Sequence, residues 1–115
     1  MPSLERRPLQ LAAHHLALLC QLLQAHVPHA QVWAYGSRVH GGAHEGSDLD
    51  LVLRNPANLS APSEGWWELK EALQESALPI LVDVHDWARL PVEFHRNIER
   101  DYVELQSGKP PIEMN

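Results

Sequence analysis

Gln31-Val32-Trp33-Ala34-Tyr35-Gly36-Ser37 and, after a ten-residue spacer, Asp48-Leu49-Asp50-Leu51-Val52-Leu53 decide how this chain folds. The first run has the apolar and aromatic content of a buried strand. Gly36 then permits a sharp turn and the close backbone approach that a phosphate needs. Ser37 stands at the start of the next helix, where its hydroxyl and the free backbone N–H groups can donate to phosphate oxygens, with the positive end of the helix dipole behind them. The second run alternates with period two, so Asp48 and Asp50 share one face, their Cα atoms roughly 6.6 Å apart. Two carboxylates so placed can hold one or two Mg²⁺ ions.

Taken singly, a Gly-Ser pair is a turn and an Asp-x-Asp is a solvated strand face. Together they place two charges in an otherwise apolar segment, and burying unpaired carboxylates costs several kcal/mol, so a metal ion is the natural compensating partner. A third carboxylate comes later, in Pro79-Ile80-Leu81-Val82-Asp83-Val84-His85-Asp86, which is apolar and β-branched up to Asp83 and reads as a second buried strand. Asp83 can complete the metal site or take a proton from an incoming hydroxyl; by itself it reads rather as the partner of a nearby Arg or as part of a half-exposed edge, and Asp48 and Asp50 reverse that. Asp86 lies past the apolar run, where it opens a turn or caps the next element. The joint pattern points to nucleotide transfer, in which a hydroxyl attacks the α-phosphorus of ATP and two metals clamp the attacking and leaving oxygens. Arg38 either helps neutralise the departing pyrophosphate or is a surface cation at a helix start, where the dipole does not favour it.

Gly36-Ser37, the ten-residue gap, Asp48-x-Asp50 and the later Asp83 resemble the nucleotidyltransferase superfamily that includes DNA polymerase beta. With so short a chain, Ala34-Tyr35-Gly36-Ser37-Arg38-Val39-His40-Gly41 leading to Ser47-Asp48-Leu49-Asp50-Leu51 is similar to its minimal nucleotidyltransferase (MNT) branch, over about residues 9 to 106. The resemblance implies an antitoxin paired with a HEPN-domain toxin, a small helical ribonuclease, and transfer of AMP from ATP to a tyrosine of that toxin. It also implies that Ser37, with Gly36 and Arg38, binds the triphosphate, that Asp48 and Asp50 hold Mg²⁺, and that Asp83 is the third catalytic acid and metal ligand. Val39-His40 stand where the family often has a small and a variable residue, and Gly41-Gly42 loosen the loop; neither change removes a catalytic group.

At 115 residues the chain is read as one domain, with its core over about 9–106 and a tail at 107–115. Net charge is −6 and the isoelectric point near 5.7. A broad grip on a nucleic-acid backbone requires clustered Lys and Arg, so templated polymerisation is disfavoured. The single cysteine, Cys20, excludes an internal disulfide and fits a reducing compartment as a small buried hydrophobe. With no signal peptide or membrane span visible, a cytoplasmic protein is expected.

Periodicity supplies the scaffold. Leu9, Ala12, Leu16, Leu19 and Leu23 predict an amphipathic helix that ends before Pro28. Ser37 to about His40 starts the phosphate-side helix, and Gly41 to Gly46 form a loop that can order on ATP. Ser63 is expected to cap a helix running to about Ser76, with Trp66, Leu69 and Leu73 inward. Of the neighbours Trp66 and Trp67, one ring is expected in the core and the other outside, because adjacent helical positions diverge by about 100°. Pro91 leads a final helix bearing Phe94, Ile98, Tyr102 and Leu105, ended by Gly108 and Pro110-Pro111. The result is an α/β (α+β) layer fold, a small mixed β-sheet of three or slightly more strands packed with helices.

The eight histidines show no paired ligand spacing of the usual kinds, which disfavours a structural zinc. His40 and His44 can touch phosphate from the loop, or simply be solvated. Three functions fit: a protein adenylyltransferase acting on its toxin, an antitoxin that works by occlusion with a vestigial nucleotide site, and a small-molecule nucleotidyltransferase. The chain has little spare length for an acceptor pocket of its own. That favours a macromolecular acceptor, or an oligomer that supplies the missing wall.

Overall fold

A computed structural model describes residues 11–40 and 48–108. The predicted loop Gly41–Gly46, His44, Leu9 at the expected start of the first helix, and the tail beyond Gly108 lie outside the described residues.

The elements run in the order α1 (Ala13–His26), β1 (Gln31–Tyr35), α2 (Ser37–His40), β2 (Leu49–Arg54), α3 (Trp66–Gln74), β3 (Val82–Asp86), α4 (Val92–Arg100) and β4 (Val103–Gln106). The strands form one mixed sheet in the order β3-β2-β1-β4, antiparallel except for the parallel β2–β3 pair.

Strand parity divides the sheet into two faces. Val32, Ala34, Leu49, Leu51, Leu53 and Val84 pack against Leu19 and Leu23 of α1 and Leu69 and Leu73 of α3. Each leucine fully withdrawn from water there contributes about 1.5–3 kcal/mol. Opposite-facing residues are brought together by direct pairing: Trp33 with Val52, Tyr35 with Asp50, and Asp50 with Asp83. On that second face Trp33, Val52, Trp87 and Ile98 of α4 form a smaller core. α4 covers only one end of the face.

The final helix is shorter than its apolar spacing suggests. Asp101 is extended, with φ −160° and ψ 102°, and the chain turns into β4 to pair with β1. Pairing across some seventy residues satisfies backbone groups on an edge that β1 would otherwise expose, and this outweighs local helical periodicity. The β1–β4 register shifts between Val32 and Trp33, which sets Val32 opposite Gln106 but Trp33 opposite Glu104. Gln106 Nε2 donates to the carbonyls of Val27 (2.7 Å) and Ala30 (2.9 Å), tying the α1–β1 connection to the new strand. Tyr102 packs as expected but from just outside β4, stacked on Trp33 with ring centroids 3.9 Å apart.

Ser63 does not cap α3. Gly65, at φ +90°, precedes the helix, and a Cβ there would collide with the His26 carbonyl oxygen, so the close approach of α1 selects glycine. Ser63 instead donates its N–H to Asp86 Oδ2 at 3.3 Å. Asp86, buried and followed by a 3-10 turn over Trp87–Arg89, opens a turn as its position suggested. Pro91 precedes α4 in extended conformation and is not its first helical residue. Trp66 packs on the core and donates Nε1–H to Val84 O at 2.9 Å, while Trp67 is 58% exposed. Cys20 is only partly buried, and that burial pushes its thiol up. No described helix is long and apolar enough to cross a membrane.

Candidate active site

The open end of the second face gathers the residues that carry chemistry. β1 ends at Tyr35, and Gly36 turns the chain at φ +89° into α2. A Cβ on Gly36 would stand 2.5 Å from Asp50 Oδ2, so glycine serves both the left-handed backbone and the room that the carboxylate occupies. Ser37 opens α2 as predicted; its side chain and that of His40 lie outside the description. Arg38 is buried, 8% exposed, and engaged within the fold rather than a surface cation.

Asp48 is exposed just before β2, and Asp50 is partly buried within it. β3 is the sheet's edge and not a fully buried strand: Leu81 is 69% exposed and Asp83 is exposed. Edge placement still brings Asp83 to Asp50, because the parallel register sets the two side by side. Asp50, Asp83 and His85 each offer a ligand atom, and these atoms lie within 4.8 Å of one another. Asp48 stands outside that group but near enough for its charge to act on Asp50.

Burial pushes the Asp50 carboxyl above the usual range, as do the charges of Asp83 and Asp48, with His85 opposing them. Such a group is more readily ionised beside a cation. The donor set therefore fits a divalent ion: two converging carboxylates in a partly dehydrated position, a third nearby, and no residue of the opposite formal charge beyond one imidazole among the causes that shift Asp50. Tyr35 is pushed well above its ordinary range by burial and by Asp50 and Asp83, so its phenol keeps its proton. Its ring lies 6.4 Å from that of His85 and edge-on to Phe94 at 6.2 Å, walling the site on the β1 side.

Two surface depressions differ in what lines them. The larger, about 1000 Å³, lies at the far end of the sheet beside Val27, Asn55 and Gly65, remote from the acids. The smaller, about 450 Å³, is lined by Asp48 and Asp83 together with Lys70, Gln74, Leu78 and Ile80. Chemistry rather than size makes the smaller one the candidate substrate groove.

Motif reasoning missed His85 and Tyr35. The signal for His85 was present in the spacing Asp83-x-His85, which puts both on one strand face, but helical and zinc-type spacings do not test for it. Lys70 was not legible, since nothing local ties α3 to the start of β2.

A four-stranded mixed sheet with a Gly-Ser turn beside strand carboxylates defines a nucleotidyltransferase fold. The family model "Polymerase beta, Nucleotidyltransferase" matches residues 19–109, and the chain belongs to that family. Within it the likeness is to the minimal branch: the chain is 39% identical over 105 residues to the "Probable protein adenylyltransferase MntA" of Haemophilus influenzae (strain ATCC 51907 / DSM 11121 / KW20 / Rd), covering 91% of this chain and 90% of that one. Among solved structures, a chain described as "Crystal structure of the toxin-antitoxin with AMP-PNP" shares the fold at a TM-score of 0.64 and 21% identity, over 85% of this chain and 76% of that one.

Proposed function

We propose that this protein transfers AMP from ATP to a hydroxyl of a partner protein, a tyrosine of a HEPN-type toxin, and so acts as an antitoxin, with Mg²⁺ as its ion. The observation that carries the reading is the meeting of Asp50 and Asp83 across the parallel β2–β3 pair, directly beside the Gly36 turn. Support comes also from the relative named as a probable protein adenylyltransferase and from the toxin-antitoxin neighbour with AMP-PNP.

Asp50 and Asp83, with Asp48 beside them, are the residues that would hold divalent ions. When bound, such ions supply positive charge to the phosphate oxygens on which charge builds during the transfer. Gly36 lets the backbone approach the triphosphate, and Ser37 and the free N–H groups after it retain the pyrophosphate. Arg38, buried in α2 directly after that turn, adds positive charge there. Asp83, exposed at the groove, accepts the proton of the attacking hydroxyl. The groove opens at the exposed β3 edge, which suits an acceptor presented on a protein surface rather than a small molecule that must be enclosed.

Intact-mass spectrometry tests this directly, on the cognate toxin incubated with the protein, ATP and Mg²⁺, beside an Asp48→Asn/Asp50→Asn control. Adenylyl-sized increments on the toxin, absent with the control, are expected. No increment, together with neutralisation that the double variant retains, would replace this reading with an antitoxin that works by occlusion.

A further inference from the structure

Phe94 and Ile98 stand four residues apart on α4 and share one side of the helix. Ile98 is buried with Trp33, Val52 and Trp87 in the smaller core, whereas Phe94, one turn nearer the start of the helix, is 38% exposed. Phe94 has thus passed the end of that core and overhangs the open end of the face. There its ring meets that of Tyr35 with centroids 6.2 Å apart and planes at 86°, an edge-to-face contact that fixes its tilt. An apolar ring on the inward side of a helix, only partly covered, leaves a flat surface for something else to cover.

We infer that Phe94, braced by Tyr35, is the platform on which the adenine of ATP stacks. Tyr35 joins the two halves of the nucleotide site: its backbone runs directly into the Gly36 turn, proposed above to meet the triphosphate, and its ring adjoins Phe94. A tyrosine side chain is comparable in length to the ribose that separates a nucleotide's base from its phosphates. Tyr35 also lies directly opposite Asp50, whose neighbour on the far side is Asp83. Across the sheet the order is therefore Phe94 against the β1 ring, the acids of β2 and β3, and then the groove at the β3 edge, whose described lining includes neither Tyr35 nor Phe94. With the acceptor entering at β3, the aromatic surface beside β1 falls to the base.

The inference deepens the reading above, because the nucleotide is the one proposed there. Binding is nevertheless measured without toxin, so base stacking and adenylyl transfer can fail separately. Calorimetry in the presence of Mg²⁺ compares AMP-PNP with inorganic tripolyphosphate, which has the phosphates and no base, on the wild-type protein and Phe94→Ala. The variant is expected to lose about ten-fold in AMP-PNP affinity, the scale of one base stacked on one aromatic side chain, and less than about two-fold for tripolyphosphate. Phe94→Tyr keeps the ring and should bind AMP-PNP within about two-fold of the wild-type protein. Phe94 is the chain's single phenylalanine, so protein carrying 4-fluorophenylalanine gives one ¹⁹F signal, expected to shift with AMP-PNP and not with tripolyphosphate. Equal losses for both ligands would make Phe94 structural, and unchanged AMP-PNP affinity, with or without weaker toxin binding, would give the ring no part in holding the base; either overturns the platform. A wild-type protein that does not bind AMP-PNP would overturn it together with the reading above. Should Phe94→Ala fail to fold, the fluorine signal decides: without a shift specific to AMP-PNP, Phe94 is not the platform.

Discussion

Asp50 and Arg54 lie four residues apart on β2, on the same face of the same sheet, yet the two ends of that face have opposite designs. Arg54 stacks over Trp33 at 3.9 Å and Trp87 at 4.5 Å and donates Nη1–H to Gln31. Trp33 in turn stacks on Tyr102, and Trp87 on His95 with centroids 3.8 Å apart. At the other end Asp50 meets Asp83 and His85, with the charge of Asp48 also acting on it, and is left partly open. The partly buried guanidinium is thus held between two π faces, with the charges of Glu99 and Glu104 offsetting the cost of its desolvation. A carboxyl pushed up by burial and by neighbouring carboxylates is instead one that positive charge would stabilise in its ionised form. One end of the face holds the fold together, and the other sets like charges side by side where the proposed ion would sit.

The contrast can be broken most forcefully at the aromatic end. Trp33→Ala removes the floor beneath Arg54 and Tyr102, and should cost about 3–5 kcal/mol of stability, a large share of what a domain of this size holds. Urea denaturation would measure it; a loss under about 1 kcal/mol would mean that the stack is ornamental. Asp50→Asn should do the reverse. Adenylyl transfer is expected to fall at least about a hundred-fold, beyond the usual effect of an outer-sphere partner, with the melting temperature of the metal-free protein unchanged or raised. Transfer rates and thermal melts of the same preparation check both halves, and a collapse in stability would make Asp50 structural.

Gly36→Ala tests the junction between the two designs. The added Cβ meets Asp50 Oδ2 at 2.5 Å and the backbone must keep φ +89°, so a cost of about 1–3 kcal/mol is expected, with weaker metal binding as Asp50 is displaced. Denaturant melts and metal titrations should move together.

The smallest effect is one of pH. The Asp50 carboxyl is raised in the folded state, so that state binds the proton more tightly than the unfolded chain does. Stability of the metal-free protein therefore falls as pH rises from the ordinary carboxylate pKa, about 4, through the raised folded value, and the full penalty is present above it. Subtracting the Asp50→Asn profile should isolate this term, with the variant gaining at neutral pH and converging on the wild-type protein below about pH 4. A difference that does not vary with pH would assign the relief to packing instead of charge.

The readings that held are those with local causes. Gly36 turns the chain because only glycine tolerates that φ without strain; Asp48, expected to share a strand face with Asp50, lies just before β2 instead. The small mixed sheet, the divided roles of Trp66 and Trp67, and the family likeness rest on similarly short-range patterns. Phe94, Ile98, Tyr102 and Leu105 misled for the same reason, since helical spacing is a local signal and β4 forms only because β1, some seventy residues away, offers an unpaired edge. Ser63 misled because the start of α3 is set by the tail of α1, pressed against Gly65.

By itself, then, the sequence determined the turn, the carboxylate spacing and the nucleotidyltransferase family to which they point, all of which are written within a few residues. Tertiary structure alone decided that β3 is an edge, that its parallel register carries Asp83 to Asp50, and that His85 comes with it. Register between strands thirty residues apart depends on how two helices pack the opposite face, and no periodicity in either strand records that.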